Sequence, residues 1–171
     1  MFWLLRPVVG LLLDVKKFDC FAAQKIRLAS YPLTYLASHE GTTPPSWWAQ
    51  RDQGFEPFVS PLVIAEIARG DVTAAAMRLT LCTGLPRLDV NADAESLAKR
   101  LLVDGAIPGT EPEDALHVAI AVVHQLDYIA TWNFVHLVGA SAKFKLQMHI
   151  SRMGYTPPII ATPEELLEEL S

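Results

Sequence analysis

The stretch Glu111-Pro112-Glu113-Asp114-Ala115-Leu116-His117-Val118-Ala119-Ile120-Ala121-Val122-Val123-His124-Gln125-Leu126-Asp127-Tyr128-Ile129-Ala130-Thr131-Trp132-Asn133-Phe134 decides how the chain is read. It has the form of a helix, a short turn and a strand. Thr110-Glu111-Pro112-Glu113 fits a capping box, with Thr110 at the N-cap and Glu113 at the third helical position. From Ala115 to Val123 the helix is apolar on nearly every side, so it is expected to be buried all round. Asp114 shares one helical stripe with His117, Ala121 and His124, which follow it by 3, 7 and 10 residues. Asp127 then leads into the strand-like run Tyr128 to Thr131, and Trp132-Asn133-Phe134 lies just past its carboxyl end. In open parallel α/β sheets, that edge is where ligands bind.

Upstream, the pattern is clear back to Gly54. Phe55 to Val59 reads as a strand, and Ser60-Pro61 opens a helix with a serine cap and a proline at its first position. That helix, Leu62 to Arg69, ends at Gly70; Asp71 caps the next, Val72 to Cys82, which Gly84 and Pro86 stop. Arg87 to Val90 is a brief strand, and Asn91 caps a helix through Val103 that ends at Gly105. The Ile107-Pro108-Gly109 loop delivers the central stretch. Farther upstream, Val8 to Leu13 looks like a buried strand ending at Asp14, whereas Lys16 to Gly54 carries few core signals and is broken by Pro32, Gly41, Pro44 and Pro45. Downstream, a helix from about Ala142 to Met153 stops at Gly154, Pro158 to Ala161 is a last strand, and Thr162-Pro163-Glu164-Glu165 opens a final helix. Strands alternating with helices imply an α/β domain with a mostly parallel sheet covered on both faces.

A chain of 171 residues is one domain, or one domain with an appendage, and is long enough for a sizeable core. Its apolar fraction of 51% is high, yet no uninterrupted apolar run approaches the roughly 18 residues of a membrane span. Cys20 and Cys82 form neither a disulfide framework nor a zinc set, which points to the cytoplasm. A net charge of −5 argues against a broad nucleic-acid-coating surface, but not against an enzyme that meets phosphate through a bound cation.

Two carboxylates stand out. Glu66 is the only ionisable side chain among Leu62, Val63, Ile64, Ala65, Ile67 and Ala68, and Asp114 sits in the first turn of the most buried-looking helix. A lone buried carboxylate costs several kcal/mol unless it is paired. Asp114 also fits a plain helix-end role, worth ~0.3–1 kcal/mol, and Glu66 fits a pair with Arg69 or Arg78. Together they favour a shared Mg²⁺ site, since Mg²⁺ takes one or two carboxylates plus waters and phosphate oxygens. His117, His124 and His136 are weaker candidates, and for His117 a packed or hydrogen-bonded role outweighs metal ligation. Lys143, Lys145, His149 and Arg152 offer either a basic edge for phosphates or a solvated helix face. No His/Cys spacing fits zinc, and no glycine-rich phosphate loop or nucleophile elbow is present.

Phe58-Val59-Ser60-Pro61-Leu62-Val63-Ile64-Ala65-Glu66-Ile67, Ile107-Pro108, Asp114 to Ala121, Thr131-Trp132-Asn133-Phe134 and Thr162-Pro163-Glu164-Glu165-Leu166-Leu167 together resemble the PIN-domain family. The resemblance spans residues 46–170 of a single 1–171 domain, with 1–45 atypical. It implies a Rossmann-like three-layer α/β/α sandwich whose acidic pocket binds Mg²⁺ or Mn²⁺ and cuts RNA. Many members are the toxins of toxin–antitoxin pairs, so the implied partners are an RNA substrate and an antitoxin, with a second copy of the chain as a further candidate and no membrane. By position, Glu66 and Asp114 match metal-holding acids and Asn133 completes the pocket.

The departure lies at the front, where the family has a strand ending in an acid followed by threonine or serine. Placed at Leu28-Ala29-Ser30, the acid has become Ala29; placed after Val8 to Leu13, it is Asp14, which would then be a metal ligand, but Val15 and Lys16 replace the hydroxyl signature. Diverged, misread and frameshifted starts all fit this segment. The rival to a ribonuclease is a PIN-fold interaction protein with an impaired pocket that acts by binding RNA or a protein, and a remnant of a mobile gene is a third reading.

Overall fold

A computed structural model describes residues 3–7, 55–131, 140–161 and 165–166, of which 3–7 and 140 are described by backbone alone. In chain order the elements are β1 (Trp3–Pro7), β2 (Phe55–Phe58), α1 (Pro61–Ile67), α2 (Val72–Leu81), α3 (Ala92–Val103), α4 (Pro112–Val123), β3 (Tyr128–Ala130), α5 (Ala140–Arg152) and β4 (Ile159–Ala161). Glu165 and Leu166 are helical. The expected strand Val8 to Leu13, Asp14, the weakly patterned Lys16 to Gly54, Ala29, Trp132 to Phe134, His136 and the cap Thr162-Pro163-Glu164 lie outside the described residues.

Three helices begin where their caps dictate. Ser60 Oγ accepts from the Val63 amide at 3.3 Å, Asp71 Oδ1 from Ala74 at 2.9 Å and Asn91 Oδ1 from Ala94 at 2.9 Å, each satisfying an amide that the first turn leaves without a partner. The capping box expected at Thr110 is not formed. Pro112 takes the first position of α4, Glu111 becomes its N-cap without a capping bond from its side chain, and Asp114 rather than Glu113 is third. Proline's fixed φ and missing N–H suit that first position, and this moves the whole turn by one residue.

The sheet has the order β2-β1-β3-β4. Phe58, Leu4, Ile129 and Ile160 form one row across it. The expectation of a mostly parallel sheet is corrected here: β1 pairs antiparallel with both neighbours, and β3 with β4 is the parallel ladder. The reason is local. Alternation of strand and helix forces parallel pairing only within a strand–helix–strand unit, and β3–α5–β4 is one. Because β1 opposes both neighbours, β2, β3 and β4 still point the same way and share a carboxyl edge. The expected strand Arg87 to Val90 is reduced to a parallel bridge of Arg87 with Val59, closed by Leu88 N–H to the Val59 carbonyl at 2.8 Å.

Burial follows the patterns. In α3, Ala94, Leu97, Ala98 and Leu101 form the buried stripe, spaced as one helical face requires. It packs against α4, where Ala115 and Val118 to Ala121 are fully inaccessible to solvent. α4 in turn packs on β3, whose Ile129 is likewise inaccessible.

The end of α4 is tightly fixed. Gln125 N–H donates to the Val122 carbonyl at 3.1 Å and Leu126 N–H to that of Ala121 at 2.9 Å, the paired closure of a Schellman motif. Gln125 has φ of 54°, the left-handed conformation that Gly105 (66°) and Gly154 (85°) adopt after α3 and α5. A side chain there costs about 1 kcal/mol or slightly more, which the greater unfolded-state freedom of glycine partly offsets. Gln125→Gly is expected to raise stability by roughly 0.5 kcal/mol in urea denaturation. A loss of stability would show that the Gln125 side chain contributes more than its backbone strain removes.

Candidate functional site

The helix that carries Glu66 is short and held at both ends. Ser60 closes its start, and Arg78 from α2 closes its finish: Nε donates to the Ile67 carbonyl at 2.9 Å and one terminal nitrogen to that of Arg69 at 2.7 Å. A cation on the last carbonyls of a helix satisfies them and complements its negative end. Val63 and Ile67, one turn apart on the flank beside Glu66, are buried and anchor α1 to the core. The helix axis and the azimuth of Glu66 are thereby set.

Glu66 Oε1 lies 2.9 Å from His117 Nε2. The His117 side chain is 0% exposed and that of Glu66 15%, so this contact lies out of bulk water. An ionised carboxylate only accepts, so Nε2 carries the hydrogen and donates it. The pairing of Glu66 with Arg69 or Arg78 that its sequence neighbours invite is not what forms. Arg78 is engaged by backbone carbonyls, and Arg69 pairs with Glu113 at 3.1 Å, a contact exposed on both sides. The hydrogen bond from Glu113, then its charge, raises the Arg69 guanidinium pKa, and Glu66 adds a smaller through-space contribution. Exposed pairs of this kind add little stability. Two contacts, Glu66 to His117 and Arg69 to Glu113, thus join α1 to the first turns of α4 in opposite chain directions.

Asp114 is fully buried at the third position of α4, one turn before His117 and on the same stripe. The positive end of the helix favours its charged form. Thr131 is also fully buried, at the carboxyl end of β3, and its hydroxyl has no hydrogen-bond partner among the described residues. Only residues 124–127 separate α4 from β3, and the two pack together. The amino end of α4 and the carboxyl end of β3 therefore lie toward one edge. Among the described residues no cluster of three or more His, Cys, Asp or Glu side chains gathers as a metal site. Asp14 and Asn133, the remaining site residues expected from sequence, lie outside the described residues.

The other histidine of the stripe is differently used. His124 is the C-cap of α4 and donates through Nε2 to the Asp89 carbonyl at 2.8 Å. The proposed basic edge is also corrected. Lys143 lies on the buried face of α5 with Leu146 and Ile150, its pKa lowered by burial against the opposing effect of the Glu165 charge. Lys145 and Arg152 are exposed and His149 is half-buried, and these three share a stripe. Sequence reading missed the histidine as the partner of Glu66. The available signal was that both are ionisable groups in apolar helices, which are tolerable when they meet each other.

Cys82 is excluded as a nucleophile. It is buried, and burial pushes its thiol pKa up to about 11, with the charge of Arg87 opposing, so the reactive thiolate is scarce at neutral pH.

No family model, curated protein or solved structure matches the chain.

The thiol gives a test of this environment. With its pKa raised from about 9 when unfolded to about 11 when folded, the unfolded chain loses the proton first as pH rises. Stability from this group is intact below pH ~9 and falls between pH ~9 and ~11. Lys143, whose pKa is lowered, acts in the opposite direction as pH climbs. Comparing wild type with Cys82→Ala cancels that contribution. The wild type should lose stability relative to the variant across that window in urea denaturation; parallel curves would show that the thiol is not shielded.

Proposed function

We propose that the chain is a metal-dependent endoribonuclease of the PIN type, built as a Rossmann-like three-layer α/β/α sandwich, and the toxin half of a toxin–antitoxin pair in the cytoplasm. The observation that carries the reading is a fully buried carboxylate, Asp114, in the first turn of α4, with the Glu66 carboxylate held against the next turn of the same helix. Glu66 and Asp114 would hold Mg²⁺ or Mn²⁺. The donor chemistry fits, since both are hard oxygen ligands and Mg²⁺ takes one or two carboxylates plus water and phosphate oxygens. Asp14 would join them if its strand takes the first place, and Asn133 would orient a ligand water. When bound, the cation polarises the phosphodiester and eases deprotonation of water.

The remaining work falls to the chain itself. The amino end of α4 complements negative charge at Asp114. The apolar body of α3 and α4 behind it excludes water. The contact with His117 limits the rotamers open to Glu66, and fixed placement of reacting groups is a large part of what catalysis of this type requires. RNA would meet the acidic chain along the stripe of Lys145, His149 and Arg152 on α5, where phosphates are attracted without a broad basic surface.

Asp114→Asn keeps size and polarity but removes the charge. It should lower cleavage of a mixed RNA pool by about 100-fold or more, roughly 2.7 kcal/mol of barrier, at matched folded concentration. The helix-end contribution lost with it is only ~0.3–1 kcal/mol, too little to account for that fall. Wild-type cleavage that survives both a chelator and the substitution would sink the assignment. Wild type that binds RNA or an antitoxin but cuts nothing under any divalent metal would move the reading to the interaction protein.

The α5 stripe is tested by salt. Neutralising Lys145 and Arg152 with glutamine should weaken RNA binding and flatten its dependence on log salt by ~0.7 for each phosphate of a single strand that is no longer neutralised. Lys143→Gln should leave that slope unchanged. Equal slopes for all the variants would remove α5 from the RNA path.

A further inference from the structure

Resting on the metal-site reading above, we propose that His117 is a positioning residue for Glu66: its buried ring N–H holds one carboxylate oxygen so that the carboxylate is presented to the cation in a single orientation. Three observations carry this. The Nε2 to Oε1 distance of 2.9 Å is that of a direct hydrogen bond. His117 is inaccessible to solvent between Val118 and Leu116 on the packed helix, so its ring has little freedom to follow a moving partner. Glu66 comes from a separate helix that Ser60 and Arg78 already fix, so the bond is made between two immobile supports rather than by a side chain reaching across a flexible loop.

A long carboxylate side chain has three rotatable bonds, and left alone it samples several rotamers. A donor at one oxygen removes most of that freedom before any cation arrives. Hydrogen-bond partners of ligating carboxylates commonly alter metal affinity by 10–100-fold when removed. His117 would then touch neither cation nor RNA, and would act through Glu66.

The test uses reach, not charge. In His117→Gln the amide nitrogen lies about where Nε2 lay and can still donate to Glu66; in His117→Asn it stops short. Both variants are polar and uncharged, so a residue that merely fills a buried polar slot would not sort them by length. Mn²⁺ affinity is measured by calorimetry on the full chain without RNA, for wild type, both variants and Asp114→Asn, each corrected for its folded fraction. The expected result is binding within a few-fold of wild type for Gln and 10–100-fold weaker for Asn. Equal affinity in wild type, Gln and Asn, with Asp114→Asn weakened, would overturn the positioning role and leave the metal site standing. Equal weakening of Gln and Asn would overturn it too, since reach would then not matter. Absence of Mn²⁺ binding in wild type would overturn both. If the Asn variant fails to fold, His117→Gln alone decides: a fall of 10-fold or more overturns the inference, and retained affinity that Glu66→Gln abolishes upholds it.

Discussion

An ionisable group placed inside an apolar helix layer costs several kcal/mol unless a partner meets it there, and α4 places Asp114 and His117 in such a layer. Much of the described structure around the site answers to that constraint. Glu66 has to arrive from another helix at hydrogen-bond distance, so α1 must hold a fixed axis. A helix of seven residues does not hold one through its own hydrogen bonds. Ser60 at one end and the Arg78 guanidinium at the other supply the restraint, and Arg78 can do so because Asp71 starts α2 at the register that points it back. The contact at the candidate site is therefore the last link of a chain that begins with a serine cap and an aspartate cap.

The sheet supplies direction. β2, β3 and β4 run the same way although β1 lies against two of them, so the segments that follow β2 and β3 leave from a common edge. Val59, Ser60 and Thr131 are buried there. The short connection of α4 to β3 brings the first turn of α4 to the same side. Glu66 comes from an element far in sequence from those of Asp114 and Thr131, and this sharing of one edge relates them. A buried hydroxyl left without a partner costs about 1–3 kcal/mol, and that of Thr131 has none among the described residues. Such a group at a strand end is where a bound water or substrate atom is most useful.

What was legible in the sequence was what a few neighbouring residues decide. Ser60, Asp71 and Asn91 cap their helices because a cap needs only its own side chain and an amide three positions on. Burial of α4 was equally legible, since an all-round apolar helix can only be a core helix. At Thr110 two local signals competed, and the proline outweighed the capping box. Strand direction was not legible, because pairing depends on segments that the chain brings together from a distance. The site was half legible: the isolation of Glu66 and Asp114 announced that they needed a reason, but His117 as the partner of Glu66 requires knowing where α1 and α4 meet. Lys143 shows the reverse case. Its spacing to Leu146 and Ile150 marks the buried face of α5, yet its charge invites a surface reading, and the aliphatic stem of lysine permits both.

Whether the polar contact serves packing or a ligand can be argued from energetics. Replacing a buried ion-type pair by apolar residues of similar volume is often neutral or stabilising by about 1–4 kcal/mol. Leucine at positions 66 and 117 would therefore join α1 to α4 at least as firmly, and Val63 and Ile67 already provide the apolar contact that α1 needs. The exposed Arg69–Glu113 pair cannot compensate, since solvent screens it. An arrangement that puts a carboxylate, a histidine and a second, wholly buried carboxylate within two turns of α4 is thus a poor device for stability alone. What it does physically is fix a carboxylate oxygen of Glu66 in place between two packed helices.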